Sequence, residues 1–374
     1  MSDTVGDLPG WRGGWLNRLV ARPGFQSWAS GFPLTRAQAR RDGAEIFDLV
    51  QGFVQSQVLM ALVELDIFRR LRAGPMTAEA LGAATAIPAV RMQVLLQAGA
   101  ALRLLKRGRG GRYRLARKGA ALMGVPGLEA MIRHHKAFYA DLADPVALLR
   151  DPQDTALAGF WPYVYGAAGA VDPTTAETYS DLMAQSQRLV SEDTLRMVSL
   201  KGVTRLLDVG GGTGAFLEAA GAATPGLELM LFDLPQVAPQ ALDRFARAGL
   251  TARATIHPGS FRDQPLPMGA DAISLIRVLY DHSDDIVRDL LAQAYATLPP
   301  GGHLIISEPM SGGAVPDRAG DVYFAFYTLA MQTGKARSAA EISELCQDAG
   351  FADLRCPRPR RPYVTQVVTA RKPV

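Results

Sequence analysis

The segment Leu206-Leu-Asp-Val-Gly-Gly-Gly-Thr-Gly-Ala-Phe216 constrains this chain more than any other. A short apolar run ends in Gly210, Gly211, Gly212 and Gly214, and a helical pattern follows. An apolar run without alternation suits a strand buried on both faces. Glycines at its end let the backbone turn sharply and approach a ligand with no Cβ in the way. The next apolar run ends at Phe232-Asp233, 19 residues past Gly214, where a carboxylate can accept hydrogen bonds from two ribose hydroxyls. Asp208 supplies a second acidic side chain, inside the first strand. The glycines read G-x-G-x-G rather than the dinucleotide G-x-G-x-x-G, and no lysine with Ser or Thr follows, so a P-loop is excluded.

The rest of the C-terminal half repeats the strand-then-helix texture. TRLLDVG, LELMLFD, ARATIHP, AISLIRVL and GHLIISEP read as strands separated by helical or turn segments. That alternation predicts an α/β fold with a parallel sheet covered on both faces. Ser338-Ala-Ala-Glu341 is a capping box opening a helix that ends at Gly350, and ADLRCP with VTQVVTA suits a terminal hairpin. With 374 residues and 48% hydrophobic content, the chain has material for about two folded units.

The N-terminal half is helical. Residues 44–65 carry apolar side chains at helical spacing, and Thr77 is a fair N-cap for a short helix. AVRMQVLLQAGAALRLL follows as a longer helix, and KRGRGGRYRLA reads as a hairpin. Helix, turn, helix and hairpin make a winged-helix unit. Its wing is basic, with Lys106, Arg107, Arg109, Arg112, Arg114, Arg117 and Lys118, and suits DNA phosphates. The would-be recognition helix offers only Arg91, Gln93 and Gln97 to base edges, however, so packing or dimerisation is the better reading and no nucleic-acid partner is expected. Residues 124–200 read as mostly helical, with loops at Asp144-Pro145, Asp151-Pro152 and Asp172-Pro173.

The first 41 residues hold Arg12, Arg18, Arg22, Arg36, Arg40 and Arg41 against only Asp3 and Asp7, along with Trp11, Trp15, Trp28, Phe25 and Phe32. Such an arm suits an anionic membrane surface, or packing on the body or on a partner subunit. No 18 apolar residues run without a charge, which argues against a spanning helix, and MSDTVGDLPG lacks the pattern of a secretory leader. Two cysteines, Cys346 and Cys356, fit a reducing, cytoplasmic compartment. The five histidines have no HExxH or CxxC company, so no metal site is expected.

The glycine loop with Asp208 and Asp233 resembles motif I of the class I S-adenosylmethionine-dependent methyltransferases. The likeness continues through FDLPQV, through GSF at 259–261 in place of an adenine-contacting G-D-M-F, and through IRVLYDHSDD in place of L-H-D-W-S-D. These segments, LPPGGHLIISEP and the winged-helix unit resemble the two-domain O-methyltransferases related to the plant caffeate enzymes, over roughly residues 43–374. The resemblance implies a doubly wound seven-stranded sheet with a terminal antiparallel hairpin. It divides the chain into an arm (1–42), a helical dimerisation and substrate domain (43–190) and a cofactor domain (191–374). S-adenosylmethionine would be held by Asp208, Gly210, Gly212, Gly214, Asp233, Leu234, Ser260, Phe261 and Arg277, and the enzyme would be a homodimer.

The family's catalytic histidine is replaced here by Tyr280, with His282 two residues on. Glu308 keeps the spacing of the glutamate that orients the histidine, whereas Ala336 stands at the family's second glutamate. Tyr280 and Glu308 are the candidates for orienting a substrate hydroxyl and relaying its proton. Arg277 would bind cofactor or polarise Tyr280. His282 reads more readily as an exposed turn residue than as a base. R-x-L-Y resembles both the bacteriochlorophyll-pigment methyltransferases and the carotenoid hydroxyl O-methyltransferases of phototrophic bacteria. WASGFPLTR, FDLVQGFVQSQVL and IRVLYDHSDD resemble the carotenoid group, which methylates the tertiary hydroxyl of hydroxyneurosporene and demethylspheroidene. That subfamily's chemistry implies an apolar substrate and work beside the inner, photosynthetic membrane. Methyltransferases of bacteriochlorophyll-type pigments or apolar polyketides are the nearest rivals, and a winged-helix regulator with a ligand-sensing domain is the alternative from another class. The aromatics of Phe160–Tyr165 and Val322–Met331 suit either an apolar substrate slot or ordinary core, and His134-His135 with Phe138 and Tyr139 reads as core.

Overall fold

The computed structural model of the protein describes residues 14–151, 154–160 and 186–374. Two compact units divide the chain, Met1–Ala120 and Ala121–Val374. The first holds helices α1 (Gly14–Val20), α2 (Pro23–Gly31), α3 (Arg36–Glu64), α4 (Ile67–Arg72), α5 (Ala78–Thr85) and α6 (Ala89–Ala101), and the hairpin β1 (Leu105–Arg107) and β2 (Tyr113–Leu115). Thr77 caps α5 as expected, its hydroxyl accepting from the Ala80 N–H at 3.3 Å. The winged-helix order of elements is present, around a core of Leu62, Phe68, Leu81, Met92, Leu96 and Tyr113. Gln93, a candidate base reader, instead donates to the Tyr113 hydroxyl at 2.9 Å.

Helix α3 departs from expectation. It starts at Arg36, inside the stretch read as an arm, because nothing between Arg36 and Ala44 breaks a helix. By length and composition alone it is long and apolar enough to cross a membrane, with a mean hydropathy of 1.5 over 18 residues. Counting only uninterrupted apolar residues had ruled such a helix out. Its C-terminal turns bury Met60, Leu62 and Val63, while Ile46, Phe47, Leu49, Val50 and Phe53 stand exposed in this single chain.

The second unit is the sheet and its cover. Helix α7 (Arg117–Met123) carries the chain into it, followed by α8 (Leu128–Asp141), α9 (Pro145–Arg150), α10 (Ala156–Phe160) and the described part of α11 (186–197). The strands are β3 (Arg205–Val209), β4 (Glu228–Asp233), β5 (Ala254–Pro258), β6 (Ala272–Ile276), β7 (His303–Glu308), β8 (Ala352–Arg355) and β9 (Gln366–Arg371). Their order is β5-β4-β3-β6-β7-β9-β8. The first five run parallel, and β9 lies antiparallel between β7 and β8. Near-continuous burial along β3, β6 and β7 reflects helices on both faces: α12 (Ala215–Ala223), α13 (Ala238–Arg247), α14 (Asp284–Thr297), α15 (Ala325–Met331) and α16 (Ala339–Asp348). The expected capping box closes the start of α16, with the Ser338 N–H donating to Glu341 Oε2 at 2.8 Å.

Strand order reverses between β3 and β6. In open α/β sheets the crevice outside the strand ends at such a reversal is where ligands bind. The glycine turn leaves the end of β3, and the Tyr280 turn leaves the end of β6. The fold therefore sets both candidate regions on either side of one crevice.

Candidate active site

Each residue of the glycine turn has a local reason. Gly210, Gly212 and Gly214 all have positive φ, of 67°, 57° and 76°, which favours glycine over any residue with a Cβ. A Cβ on Gly214 would come within 2.6 Å of the Phe245 ring, and one on Gly210 within 3.0 Å of Val278, so these two serve close packing. Gly212 is different. Among the described residues no atom lies within 4 Å of where its Cβ would sit, which leaves space there for a ligand.

The two aspartates behave unlike surface carboxylates. Asp208 is fully buried, one oxygen accepting from the Ser274 hydroxyl at 2.6 Å and the other, Oδ2, without a partner among the described residues. Burial pushes its pKa up to about 7, with Asp233 adding to the rise. Asp233 accepts from the Gly212 N–H through Oδ2 and from the Leu234 N–H through Oδ1, both at 2.6 Å. Burial raises its pKa too, and those two amides oppose the rise. The carboxylate at the end of β4 thereby locks the glycine turn, with lone pairs left for further donors. Ser260 and Phe261 follow β5 and are half-buried; the Phe261 ring meets His282 edge to face at 5.3 Å.

Across the crevice, Arg277 directly follows β6 with a φ of 60°, a left-handed conformation that a non-glycine residue adopts only under constraint. Its N–H donates to the Ser307 carbonyl at 2.8 Å. The guanidinium donates to the Tyr280 hydroxyl at 3.2 Å and to Ser186 at 2.9 Å. Tyr280 is buried, and burial holds its pKa well above the usual range despite the arginine, so the phenol keeps its proton. Glu308 meets Tyr280 through the backbone, Oε2 accepting the Tyr280 N–H at 3.1 Å. Its Oε1 has no partner among the described residues, and burial raises the pKa to about 8. Glu308 thus positions the turn that carries Tyr280 rather than its ring.

His282 corrects an expectation. It is buried, because its ring packs on Phe261 while Nδ1 takes a hydrogen bond from Arg262 at 3.1 Å. Burial, Arg262 and Arg337 lower its pKa to about 4, so the ring is neutral.

Two residues here escaped the sequence reading. Arg337 is fully buried and straps the turn, donating to the carbonyls of Leu279 at 2.8 Å and His282 at 2.9 Å while pairing with Asp284. Its signal was faint: Gly334, whose Cβ would collide with the Tyr280 carbonyl, opens the same short segment. Asp281 carries a buried Oδ1 with no partner among the described residues, and burial raises its pKa to about 7. Of the aromatic candidates, 161–165 lie outside the described residues. Tyr323 and Tyr327 are described; they pair with His135 and His134, so those histidines are hydrogen-bonded rather than plain core.

A model of the O-methyltransferase domain matches residues 139–352, and one of the O-methyltransferase dimerisation domain matches residues 47–124. The chain belongs to the O-methyltransferase family. Demethylspheroidene O-methyltransferase of Cereibacter sphaeroides is 56% identical to this methyltransferase over 356 residues, 95% of this chain and 94% of that protein. The protein of the same name from Rhodobacter capsulatus is 52% identical over 340 residues, 91% of this chain and 85% of that one. Among solved structures, human N-acetylserotonin methyltransferase in complex with SAM superposes with a TM-score of 0.75 at 23% identity, covering 89% of this chain and 98% of that chain. The apo form of SibL, an S-adenosylmethionine-dependent methyltransferase, gives 0.72 at 26% identity over 88% and 99% of the two chains. The methyltransferase fold expected from the sequence, with its terminal antiparallel strands, is the fold observed.

Proposed function

We propose that this enzyme transfers a methyl group from S-adenosylmethionine to the tertiary hydroxyl of a hydroxylated acyclic carotenoid. The observation that carries the reading is the identity of 56%, along 95% of the chain, to a demethylspheroidene O-methyltransferase. The site agrees with it. A tertiary alcohol is far less acidic than a phenol, and a phenol's histidine base is missing where Tyr280 stands.

The residues present fit the cofactor. Open space over Gly212, the unpartnered oxygen of Asp208 and the free lone pairs of Asp233 would receive the amino-acid and ribose parts. Gly210 and Gly214 shape that turn, while Leu234, Ser260 and Phe261 would flank the base. When bound, S-adenosylmethionine supplies a methyl group already activated on a sulfonium. The chain must then orient the hydroxyl, exclude water and take a proton late in the transfer. Tyr280, its hydroxyl held by Arg277, orients the substrate oxygen, and Glu308 holds the Tyr280 backbone in place. His282 supports Phe261, a lesser role in catalysis.

The apolar side chains exposed on α3 lie largely within the dimerisation match and supply the self-complementary face of a homodimer. Nothing acidic lies between Gly14 and Arg41, where exposed Trp15, Trp28 and Phe32 accompany five arginines. That arm suits peripheral contact with an anionic membrane, where an apolar polyene would reside. The test is incubation with methyl-labelled S-adenosylmethionine and a panel of hydroxycarotenoids, phenols and pigment precursors. Label in a tertiary methyl ether of an acyclic carotenoid supports the reading; label only in a phenol or a ring carbon overturns it.

A further inference from the structure

The proton given up by the substrate needs an acceptor, and the obvious candidates in the Tyr280 turn are poor ones. The Tyr280 phenol already holds its proton, and Glu308 is engaged with the backbone. A second constellation lies beside them in the same unit. Helix α15 packs against both α8 and the 279–281 turn. It is preceded by a π-helical turn, Arg318–Phe324, whose N-terminus is capped by the Asp317 carboxylate. Such turns re-aim side chains within helices and recur at functional sites. Here the turn carries Tyr323, which lies within electrostatic reach of Tyr280 and Arg277.

The Tyr323 hydroxyl is 2.7 Å from Nε2 of His135 on α8. Nδ1 of the same ring is 2.5 Å from the carbonyl of Met131. A carbonyl only accepts, so Nδ1 must carry hydrogen. A neutral ring then has its bare nitrogen at Nε2, and Tyr323 is the donor of that bond. The pair is set as an acceptor: the tyrosine oxygen can take a proton as its own moves to the imidazole. The neighbouring pair is His134 and Tyr327, 2.8 Å apart.

We propose that Tyr323 and His135 form the proton exit for methyl transfer, with Tyr323 touching the substrate hydroxyl and His135 positioning Tyr323 and storing the proton. The inference rests on the O-methyl-transfer reading above. As the oxygen–carbon bond forms and the carbon–sulfur bond breaks, the substrate O–H bond breaks and its proton passes to Tyr323 Oη. The original Tyr323 proton passes to His135 Nε2, leaving an imidazolium whose Nδ1–H still points at Met131. Return of that proton through Tyr323 to solvent, after the product leaves, resets the pair. Burial lowers the pKa of His135, so the ring starts neutral and gives its proton up readily.

The experiment compares Tyr323→Phe, His135→Gln and the double variant in single-turnover methyl transfer, with cofactor affinity measured by calorimetry. Both single variants should lose about 10²-fold in rate, the scale of a lost proton acceptor, with KM and cofactor affinity within about twofold of the parent. The double variant should be no slower than the slower single one, since two members of one relay fail together. Full activity in both single variants, losses confined to KM, or losses that multiply in the double variant would overturn the proposal. So would retention of rate in Tyr323→Phe with collapse in Asp281→Asn, which would make Asp281 the acceptor. If the variants misfold, the unaltered enzyme decides: two protons in flight give a curved dependence of single-turnover rate on the deuterium fraction of the solvent, and a linear one refutes the relay. Absence of methyl transfer by the unaltered enzyme with every hydroxycarotenoid would refute the functional reading instead.

Discussion

The two sides of the crevice are built by different means. On the β3–β4 side the site is made largely of backbone: a glycine turn whose Gly212 amide is held by Asp233, with Asp208 buried beneath. On the β6 side it is made of side chains brought from far apart in the sequence. Arg277 reaches Ser186, Arg337 straps Leu279 and His282, and α8 presents its histidines to Tyr323 and Tyr327. A backbone site depends on a few contiguous residues and tolerates little change. A side-chain site can lose one member and keep its shape, so its chemistry is easier to alter.

The largest effect should therefore come from the glycine turn. Gly212→Val puts a branched side chain at a φ of 57° and into the one open space of the turn. We expect S-adenosylmethionine affinity to fall by more than about 100-fold while the protein stays folded, because no atom of the described residues is struck. Calorimetric titration reads this directly, and unchanged affinity would remove the turn from the cofactor site.

Asp233→Ala should come next. It removes the acceptor of the Gly212 and Leu234 amides along with the proposed ribose bonds. Hydrogen bonds to an ionised acceptor are worth about 1.5–3 kcal/mol each, so affinity should drop by about 10- to 100-fold. A smaller loss in Asp233→Ala than in Asp233→Asn would show that the loop lock matters little.

On the other side the expected losses are kinetic. Tyr280→Phe removes one hydroxyl and keeps the ring, so binding of cofactor should persist while turnover falls by about 10- to 100-fold. His282→Gln should cost less, since His282 is held by Arg262 and Phe261. If Tyr280→Phe is fully active and His282→Gln is dead, the roles are exchanged.

The smallest effect is on stability. Asp208 and Glu308 have folded-state pKa values raised to about 7 and about 8, against ordinary carboxylate values in the unfolded chain. A raised carboxylate favours the fold below the unfolded pKa, and that contribution is lost as pH climbs through the folded one. The buried neutral histidines oppose this below about pH 6.5, so without cofactor Tm should decline between about pH 6.5 and 8.5. Glu308→Gln, which is neutral throughout, should flatten the decline; a steeper one would contradict the assignment.

The same division explains what could be read in advance. The five parallel strands, the capping box at Ser338 and the glycine turn are local patterns, and all were legible. So were Tyr280 and Glu308 as positions, because their spacing survives in the sequence. Their relation was not: only the folded chain shows that Glu308 takes the backbone N–H rather than the phenol. The burial of His282 and the strap formed by Arg337 were not legible because their partners lie 20 and 53–58 residues away. The tautomer of His135 depends on Met131 one turn earlier and on Tyr323, 188 residues later. Helix α3 misled for another reason. Its apolar spacing begins only near Ala44, whereas the helix itself runs from Arg36, where polar residues carry no such pattern.

The most direct test of a backbone site for cofactor and a side-chain site for chemistry is one paired measurement. Gly212→Val and Tyr280→Phe are each titrated with S-adenosylmethionine and then assayed in a single turnover with the hydroxycarotenoid. The account predicts that Gly212→Val fails to bind, whereas Tyr280→Phe binds like the parent and transfers its methyl group about 10- to 100-fold more slowly. Normal binding by Gly212→Val, or lost binding in Tyr280→Phe, would contradict it.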